Sequence, residues 1–326
     1  MDTKILDYKP KMFREAEKNS GAESLSGKII AFTVVFIIIM ILESIAPTIL
    51  TMPQISQLAQ DPELAQLEFG DRFKTMVGVT AGIMSAEPAV MIVSLFSTIF
   101  GILTSVVYCR MMELRTLSSM GFRKEKAGAH YLRGLLTGFC LMAAITGLSL
   151  VTGVNRIAFE GANAGLLLLS LAGFLVQGMS EEVIFRGYLM TTIGGSHKTW
   201  LAVAISAAAF SLAHAGNPGY GVFSGFNLAL FGVFASMYII AFDDIWGISA
   251  IHSIWNFTQG SLWGISVSGT DGVASIFRTT AKHDIAILTG GEFGIEGSIF
   301  TTIVLGAGVY VLWRRIQKKS NEANEA

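Results

Sequence analysis

The sequence has few charged residues for its length. Only 14% of its 326 residues are Asp, Glu, Lys or Arg, while 52% are hydrophobic. A soluble domain of this size needs far more charge to cover its surface, so the composition is typical of a membrane protein. The formal net charge of −1 gives nucleic-acid binding no electrostatic support. We therefore expect the lipid bilayer as a partner, and no nucleic acid.

Cysteine is also scarce. The chain has two cysteines, Cys109 and Cys140, and neither has a CxxC partner. This pattern supports neither a disulfide framework nor a thiolate zinc site, so both are predicted to be packing residues in or beside the membrane. A convincing internal repeat is missing too, which disfavours the repeat architecture of many secondary transporters.

Long hydrophobic runs, by contrast, are abundant. A membrane-spanning helix needs about 20 mostly apolar residues, and eight segments approach or reach that length. They are residues 29–50, 87–108, 134–153, 164–189, 200–215, 222–242, 245–263 and 297–313. The predicted fold is therefore an all-α, polytopic transmembrane helical bundle with about eight spans. The first segment begins too late for a typical cleaved signal peptide and is predicted to be a retained anchor.

The distribution of Lys and Arg predicts the orientation of this bundle. If the N-terminus is cytoplasmic, that side receives 17 of the 23 Lys and Arg residues and the opposite side receives five. Arg186, the remaining one, lies inside a hydrophobic segment. The positive-inside rule then places both termini in the cytoplasm, which requires an even number of spans. The predicted location is the cell membrane, with multiple passes.

Ionisable residues interrupt the fourth hydrophobic segment. Glu181, Glu182 and Arg186 lie in an apolar run, where each charge costs roughly 2.5 to 3.5 kcal/mol on insertion scales. Because Glu182 and Arg186 are four residues apart, a helix would pair them. Glu181 would point elsewhere and be free to act as a general base. The alternative is that the helix ends here and the charges reach the membrane surface.

Two later segments carry polar residues at helical spacing. Phe210 and His214 end the fifth segment, and His252 and Asn256 lie four residues apart in the seventh. His214 could hold a water against Glu181 or bind a metal, and the alternative is a structural histidine at a helix terminus. The pair in the seventh segment could stabilise an oxyanion, and the alternative is an interhelical hydrogen-bonding pair.

Taken in chain order, these three motifs resemble those of a known family. EEVIFR matches an EExxxR motif, FSLAH an FxxxH motif and HSIWN an HxxxN motif. The combination resembles the CPBP family of intramembrane proteases, which includes the type II CAAX prenyl endopeptidases and the bacterial Abi proteins related to bacteriocin self-immunity. The resemblance covers about 100 residues, from Leu166 to Gly264. The first three hydrophobic segments resemble the family only loosely.

The resemblance implies a hydrolase that holds a buried water. Glu181 would be the general base that activates the water together with His214. His252 and Asn256 would bind the oxyanion. The supporting residues of the matched motifs are Glu182, Arg186 and Phe210.

The involvement of a metal is left open by the residues. Family names often include the word metalloprotease, and His214, His252 and Glu181 could form a zinc site with one open position. The sequence has no HExxH motif, in which two ligands one turn apart flank the base. We therefore favour a mechanism without a metal or other cofactor and keep zinc as the alternative.

The predicted function is an intramembrane endopeptidase that cleaves a membrane-associated or lipidated peptide or protein near the cytoplasmic leaflet. CAAX processing needs prenylated substrates, which are expected in eukaryotes, whereas the outer loops and tail of this chain resemble those of bacterial members. One alternative is a non-enzymatic membrane protein for immunity or scaffolding. Another is a proton-coupled transporter whose Glu and His residues relay protons. The oligomeric state is not predicted.

These segments and motifs divide the chain into five predicted regions. They are a cytoplasmic N-terminal segment (1–28), N-terminal transmembrane helices with an outer loop at 51–86 (29–153), a CPBP/Abi catalytic core (154–264), an outer Gly-rich loop (265–296), and a last transmembrane helix with a basic cytoplasmic tail (297–326).

Overall fold

The computed structural model describes residues 8–19, 24–72, 74–76, 82, 87–161, 163–283 and 285–325. Helices make up 76% of the structure. We number the α-helices of the described residues along the chain. They are α1 (Lys11–Glu17), α2 (Leu25–Ala59), α3 (Pro62–Ala65), α4 (Pro88–Ser97), α5 (Ile99–Met111), α6 (Ala127–Val151), α7 (Ala164–Glu182), α8 (Thr191–Ser196), α9 (Thr199–Ala213), α10 (Val222–Phe242), α11 (Trp246–Phe257), α12 (Ala286–Thr289) and α13 (Ile299–Glu325).

Shorter elements connect these helices. A π-helical stretch, Val183–Met190, joins α7 to α8, and a second one, Thr258–Leu262, continues α11. Short 3-10 turns occur at Leu117–Met120, Gly291–Phe293 and Ile295–Gly297. The strands are β1 (Asn155–Phe159) and β2 (Phe277–Ala281), which pair antiparallel with Asn155 opposite Ala281.

Six helices among the described residues are long and apolar enough to cross a membrane. They are Leu25–Ala59, Pro88–Met111, Ala127–Val151, Ala164–Ser196, Val222–Phe242 and Ile299–Glu322. The predicted segments 200–215 and 245–263 are helical but shorter, since α9 has 15 residues and α11 has 12. The chain is thus a multi-pass membrane protein, while the count of eight spans and the cytoplasmic termini stay predictions.

Two elements differ from the expected fold. The β1–β2 pair adds a small sheet to a bundle predicted to be all-α, because the FRTTA stretch of β2 has the aromatic and β-branched residues that favour strands. The helix α2 continues to Ala59, nine residues into the loop predicted at 51–86. The polar residues after Leu50 end the hydrophobic run without ending the helix. Part of that loop lies outside the described residues.

One end of the bundle gathers the N-terminal segment, residues 112–126, and the turns before α9 and α11. The Met12 N–H donates to Asp243 Oδ1 at 2.9 Å. Arg123 Nη2 lies 3.0 Å from Glu15 Oε1 and 3.3 Å from Asp243 Oδ2. Burial raises the pKa of the Asp243 carboxyl, and the hydrogen bond from Met12 opposes that rise. The last helix reaches the same end, where the Arg315 guanidinium lies 4.2 Å from the Phe242 ring centroid. We call this region the basic end.

The opposite end is formed by the β1–β2 pair, the turn at 214–221 and residues 263–298. Asn217 Nδ2 donates to Ser268 O at 2.8 Å, and the Gly269 N–H donates to Phe293 O at 2.9 Å. Gly269 has a φ of +83°, and a Cβ there would lie 2.1 Å from Pro218 O. Only glycine fits such a position. We call this region the loop end.

Close packing of glycine-containing helices positions the site. A Cβ at Gly178 of α7 would lie 2.5 Å from Ser253 N of α11, and one at Gly138 of α6 would lie 2.5 Å from Ile251 O. The helix α11 is therefore held tightly between α6 and α7. Gly232 of α10 approaches α9 in the same way, since its added Cβ would lie 2.7 Å from Ala207 Cα. Small residues allow such backbone contact in membrane helices.

Candidate active site

A buried ion pair lies at the base of the site. Arg186 Nη1 donates to Glu182 Oε1 at 3.0 Å, and both side chains have 0% exposure. His252 Nδ1 lies 2.8 Å from the same carboxylate oxygen. The two charged residues thus contact each other as their spacing of four predicts, and neither reaches a membrane surface. The Glu182 carboxylate also fixes the orientation of the His252 ring.

Aromatic rings enclose this ion pair. The Arg186 guanidinium carbon lies 4.5 Å from the centroid of the Phe210 ring, which is a cation–π distance. The same ring lies 4.9 Å from the His214 ring and 5.9 Å from the His252 ring. Phe231 of α10 covers the other side of His252, with centroids 4.9 Å apart. Phe210, itself buried, therefore contacts the side chains of Arg186, His214 and His252.

Glu181 faces away from this pair and towards both histidines. Its Oε2 atom lies 3.6 Å from His252 Nε2 and 3.9 Å from His214 Nε2. The Glu181 side chain is 21% exposed and that of His214 is 13% exposed. Glu181 Oε2 has no hydrogen-bond partner among the described residues. A carboxylate oxygen and two imidazole nitrogens therefore converge on one small volume.

The hydrogen bonds of the two rings indicate which nitrogen carries the proton. His214 Nδ1 lies 2.8 Å from Phe210 O, and a carbonyl can only accept. His252 Nδ1 faces the Glu182 carboxylate, which also accepts. Each Nδ1 therefore donates, and in a neutral ring the Nε2 atom that faces Glu181 bears a lone pair.

Gln177, which lies outside the three sequence motifs, links Glu181 to Asn256. Gln177 Nε2 donates to Glu181 Oε1, and Asn256 Nδ2 donates to Gln177 Oε1 at 2.9 Å. Gln177 lies four residues before Glu181, one turn away on α7. A polar residue one turn before Glu181, on the same face of an apolar run, was the feature that could have identified it.

The helix widens into a π-helix directly after Glu182, over Val183–Met190. Its i→i+5 hydrogen-bond pattern is rare and occurs often at functional sites. Side chains satisfy the displaced carbonyls: Ser206 Oγ donates to Phe185 O at 2.9 Å, and Thr191 Oγ1 to Tyr188 O at 3.1 Å. The hydropathy pattern contained no indication of this wider turn.

A third carboxylate lies against α7. Glu43 of α2 falls in the first hydrophobic segment, and its Oε1 atom is buried without a hydrogen-bond partner among the described residues. A Cβ built on Gly101 would lie 2.9 Å from that oxygen and 2.3 Å from Ser180 Oγ. Glu43 therefore packs beside the residue that precedes Glu181. Glu43 belongs to none of the three sequence motifs, which predict no role for it.

A cavity of about 840 Å³ connects the site with the loop end. Its inner part is lined by Gln177, Glu181, His214, His252 and Asn256. Its outer part is lined by residues 266–273 together with Asn217, Pro218, Glu292 and Glu296, and its side by Met91, Ser94, Leu95 and Thr98 of α4 and the turn after it. The cavity is large enough for a peptide segment of several residues, within the size range of ligand sites.

The sequence left zinc open on His214, His252 and Glu181. Within the described residues, no group of three or more His, Cys, Asp or Glu side chains is arranged to hold a metal ion. The metal-free mechanism stays a prediction, and zinc on these three residues stays its alternative.

Comparison with protein families matches residues 163–258 to the family model described as Type II CAAX prenyl endopeptidase Rce1-like. The matched range starts at Asn163, whose side chain caps α7 by accepting from the Gly165 and Leu166 N–H groups. It ends just after α11, so it includes every motif residue described above. Comparisons with curated proteins and with solved structures gave no match.

Proposed function

Residues 163–258 belong to the type II CAAX prenyl endopeptidase Rce1-like family, and from this premise we propose that the chain is an intramembrane endopeptidase. The match confirms the family resemblance of the three sequence motifs. The family implies a protease, and its membrane setting implies a membrane-associated substrate. We propose the catalytic residues and the mechanism from the geometry of the site.

The convergence of Glu181 with the two histidines is the observation that supports hydrolysis. Separations of 3.6 and 3.9 Å between Glu181 Oε2 and the Nε2 atoms exceed direct hydrogen bonds. They suit one bridging water. That water would donate one hydrogen to the carboxylate and the other to His214 Nε2. Its free lone pair would then face a peptide carbonyl in the cavity.

The proposed reaction has two steps, attack of the water on the peptide carbonyl and collapse of the resulting tetrahedral intermediate. Glu181 takes a proton from the water as its oxygen bonds to the carbonyl carbon, and the carbonyl oxygen becomes an oxyanion. Asn256 donates one amide hydrogen to Gln177, and its second hydrogen is available to the oxyanion. When the C–N bond breaks, Glu181 returns its proton to the leaving amine.

His252 can donate to the oxyanion only as an imidazolium, because its Nδ1 hydrogen is already used on Glu182. The Glu182 carboxylate, 2.8 Å from Nδ1, pairs with that charged form, and Arg186 Nη1 holds the same carboxylate oxygen in place at 3.0 Å. Glu182 and Arg186 are therefore positioning residues, which act through the His252 ring.

The test replaces Glu181 with glutamine, which keeps the shape and removes the base. New peptide termini are mapped quantitatively in cells that carry the wild-type protein, Glu181→Gln, or Glu125→Gln at equal expression. Glu125 is exposed at the basic end and serves as the matched control. We expect termini that appear with the wild-type protein and the control and vanish with Glu181→Gln. If Glu181→Gln retains the termini and the phenotype, a non-enzymatic membrane role replaces the protease.

A further inference from the structure

We propose that the peptide enters the cavity from the extracytoplasmic side of the membrane, so that the substrates are exported chains or outward-facing segments of membrane proteins. This inference rests on the proposed protease function and adds the substrate class. The sequence alone favoured cleavage near the cytoplasmic leaflet. Three features of the structure favour the opposite side.

The first feature is the position of the positive charges. The basic end holds the described Lys and Arg residues up to residue 28, those from 110 to 133, Lys198 and those from 314 to 319. The loop end and the connection from α2 to α4 hold Arg72, Lys74, Arg156, Arg278 and Lys282. The positive-inside rule makes the basic end cytoplasmic and the loop end extracytoplasmic.

The second feature is that tight packing closes the basic end. Met12, Phe13 and Ile245 have 0% exposure there. A Cβ at Gly194 would lie 2.3 Å from the Phe13 ring, and the Ile245 N–H donates to Gly121 O at 3.0 Å. These contacts join the N-terminal segment, the 112–126 segment and the α10–α11 turn into one layer beneath the active site.

The third feature is the length of the two short helices. Both α9 and α11 begin at the basic end. The 15 residues of α9 give a length of about 22 Å, and the 12 residues of α11 with the 5 of its π-helical continuation give about 25 Å. The hydrocarbon core is about 30 Å thick. The α9 helix therefore ends inside the bundle with His214 at its terminus, and α11 carries His252 and Asn256 at similar depth. The space beyond the end of α9 opens towards the loop end.

The lining of the cavity agrees with this geometry. Its outer part consists of loop-end residues, and none of its described lining residues belongs to the basic end. A peptide from the cytoplasm would have to cross the packed layer of Met12, Phe13 and Ile245. One at the outer surface or in the outer half of the bilayer meets the opening directly. The C-terminus of a prenylated cytoplasmic protein lies at the wrong surface.

Orientation is tested first, with single cysteines at the two ends. In a Cys140→Ser background, with buried Cys109 retained, exposed Lys282 of the loop end or exposed Lys124 of the basic end is replaced by Cys. Intact cells are treated with a membrane-impermeant maleimide, and the background protein is the control. We expect labelling of Lys282→Cys in intact cells and of Lys124→Cys only after permeabilisation. The reverse pattern overturns the proposal.

The side of cleavage is tested next, by sorting the Glu181-dependent termini according to the compartment of their parent segment. We expect them in exported proteins or in outward-facing segments of membrane proteins. If the cysteines label as expected and the termini are cytoplasmic, the entry route is wrong. If the cysteines label as expected and no terminus depends on Glu181, the protease function itself is wrong, and the substrate class is overturned with it.

Discussion

Replacing Arg186 with methionine should destabilise the protein strongly, because the buried Glu182 carboxylate then loses its guanidinium partner and keeps only the contact with His252 Nδ1. Both side chains have 0% exposure, and their contact is 3.0 Å. Removing one partner of a buried pair typically costs about 3–5 kcal/mol. Hydrogen bonds between membrane helices average only about 0.6 kcal/mol. The larger range applies here because the variant removes one member of a fully buried ion pair, and it also loses the cation–π contact with Phe210.

The partner variants make this prediction a double-mutant cycle. Glu182→Gln combined with Arg186→Met carries no stranded charge, so it should recover much of the loss shown by Arg186→Met alone. The free energy of unfolding would be measured for the wild type, both single variants and the double variant in the same detergent or bicelles. A loss below about 1 kcal/mol for Arg186→Met, or a double variant as unstable as the sum of the singles, would refute the reasoning.

Four further predictions concern the site and its packing. Asn256→Ala should lower kcat by roughly 10²–10³-fold, because it removes an oxyanion donor. Gln177→Leu should lower kcat with little change in KM. For either variant, peptide kinetics in which KM rises as much as kcat is expected to fall would contradict the proposed role. Activity of the purified protein should survive a strong chelator, and loss of activity that added zinc restores would overturn the metal-free mechanism. Gly178→Ala should destabilise the α7–α11 contact by about 1–3 kcal/mol, whereas Gly147→Ala, where an added Cβ meets nothing within 4 Å, should not; equal melting temperatures would refute this.

The spacing of polar residues predicted the contacts at the site well. Residues four apart on a helix share a face, and the Glu182–Arg186 pair obeys that rule even though the π-helix begins at Val183. The meeting of three separate segments followed from the cost of isolated polar groups in lipid. Gln177 was missed because the family motifs begin at Glu181 and because a neutral amide in an apolar run is a weaker indication of a functional site than a charge.

The hydropathy pattern could not predict other parts of the fold. Apolar runs predict the segments that contain α9 and α11, but they indicate neither the end of α9 at Ala213 nor the π-helical continuation of α11. The β1–β2 pair joins residues more than a hundred positions apart, and no local pattern contains that pairing. The route into the cavity depends on packing of the N-terminal segment, and no sequence motif predicts the contacts of that segment.

The central claim, that Glu181 activates water for peptide hydrolysis, is tested most directly with purified protein in lipid vesicles. The initial rate of cleavage of a peptide containing a mapped cleavage site is compared among the wild type, Glu181→Gln and Glu125→Gln. General-base catalysis typically contributes about 10²–10⁴-fold. The account predicts a loss of at least about 10²-fold for Glu181→Gln and none for Glu125→Gln. A rate for Glu181→Gln equal to that of the wild type would contradict it.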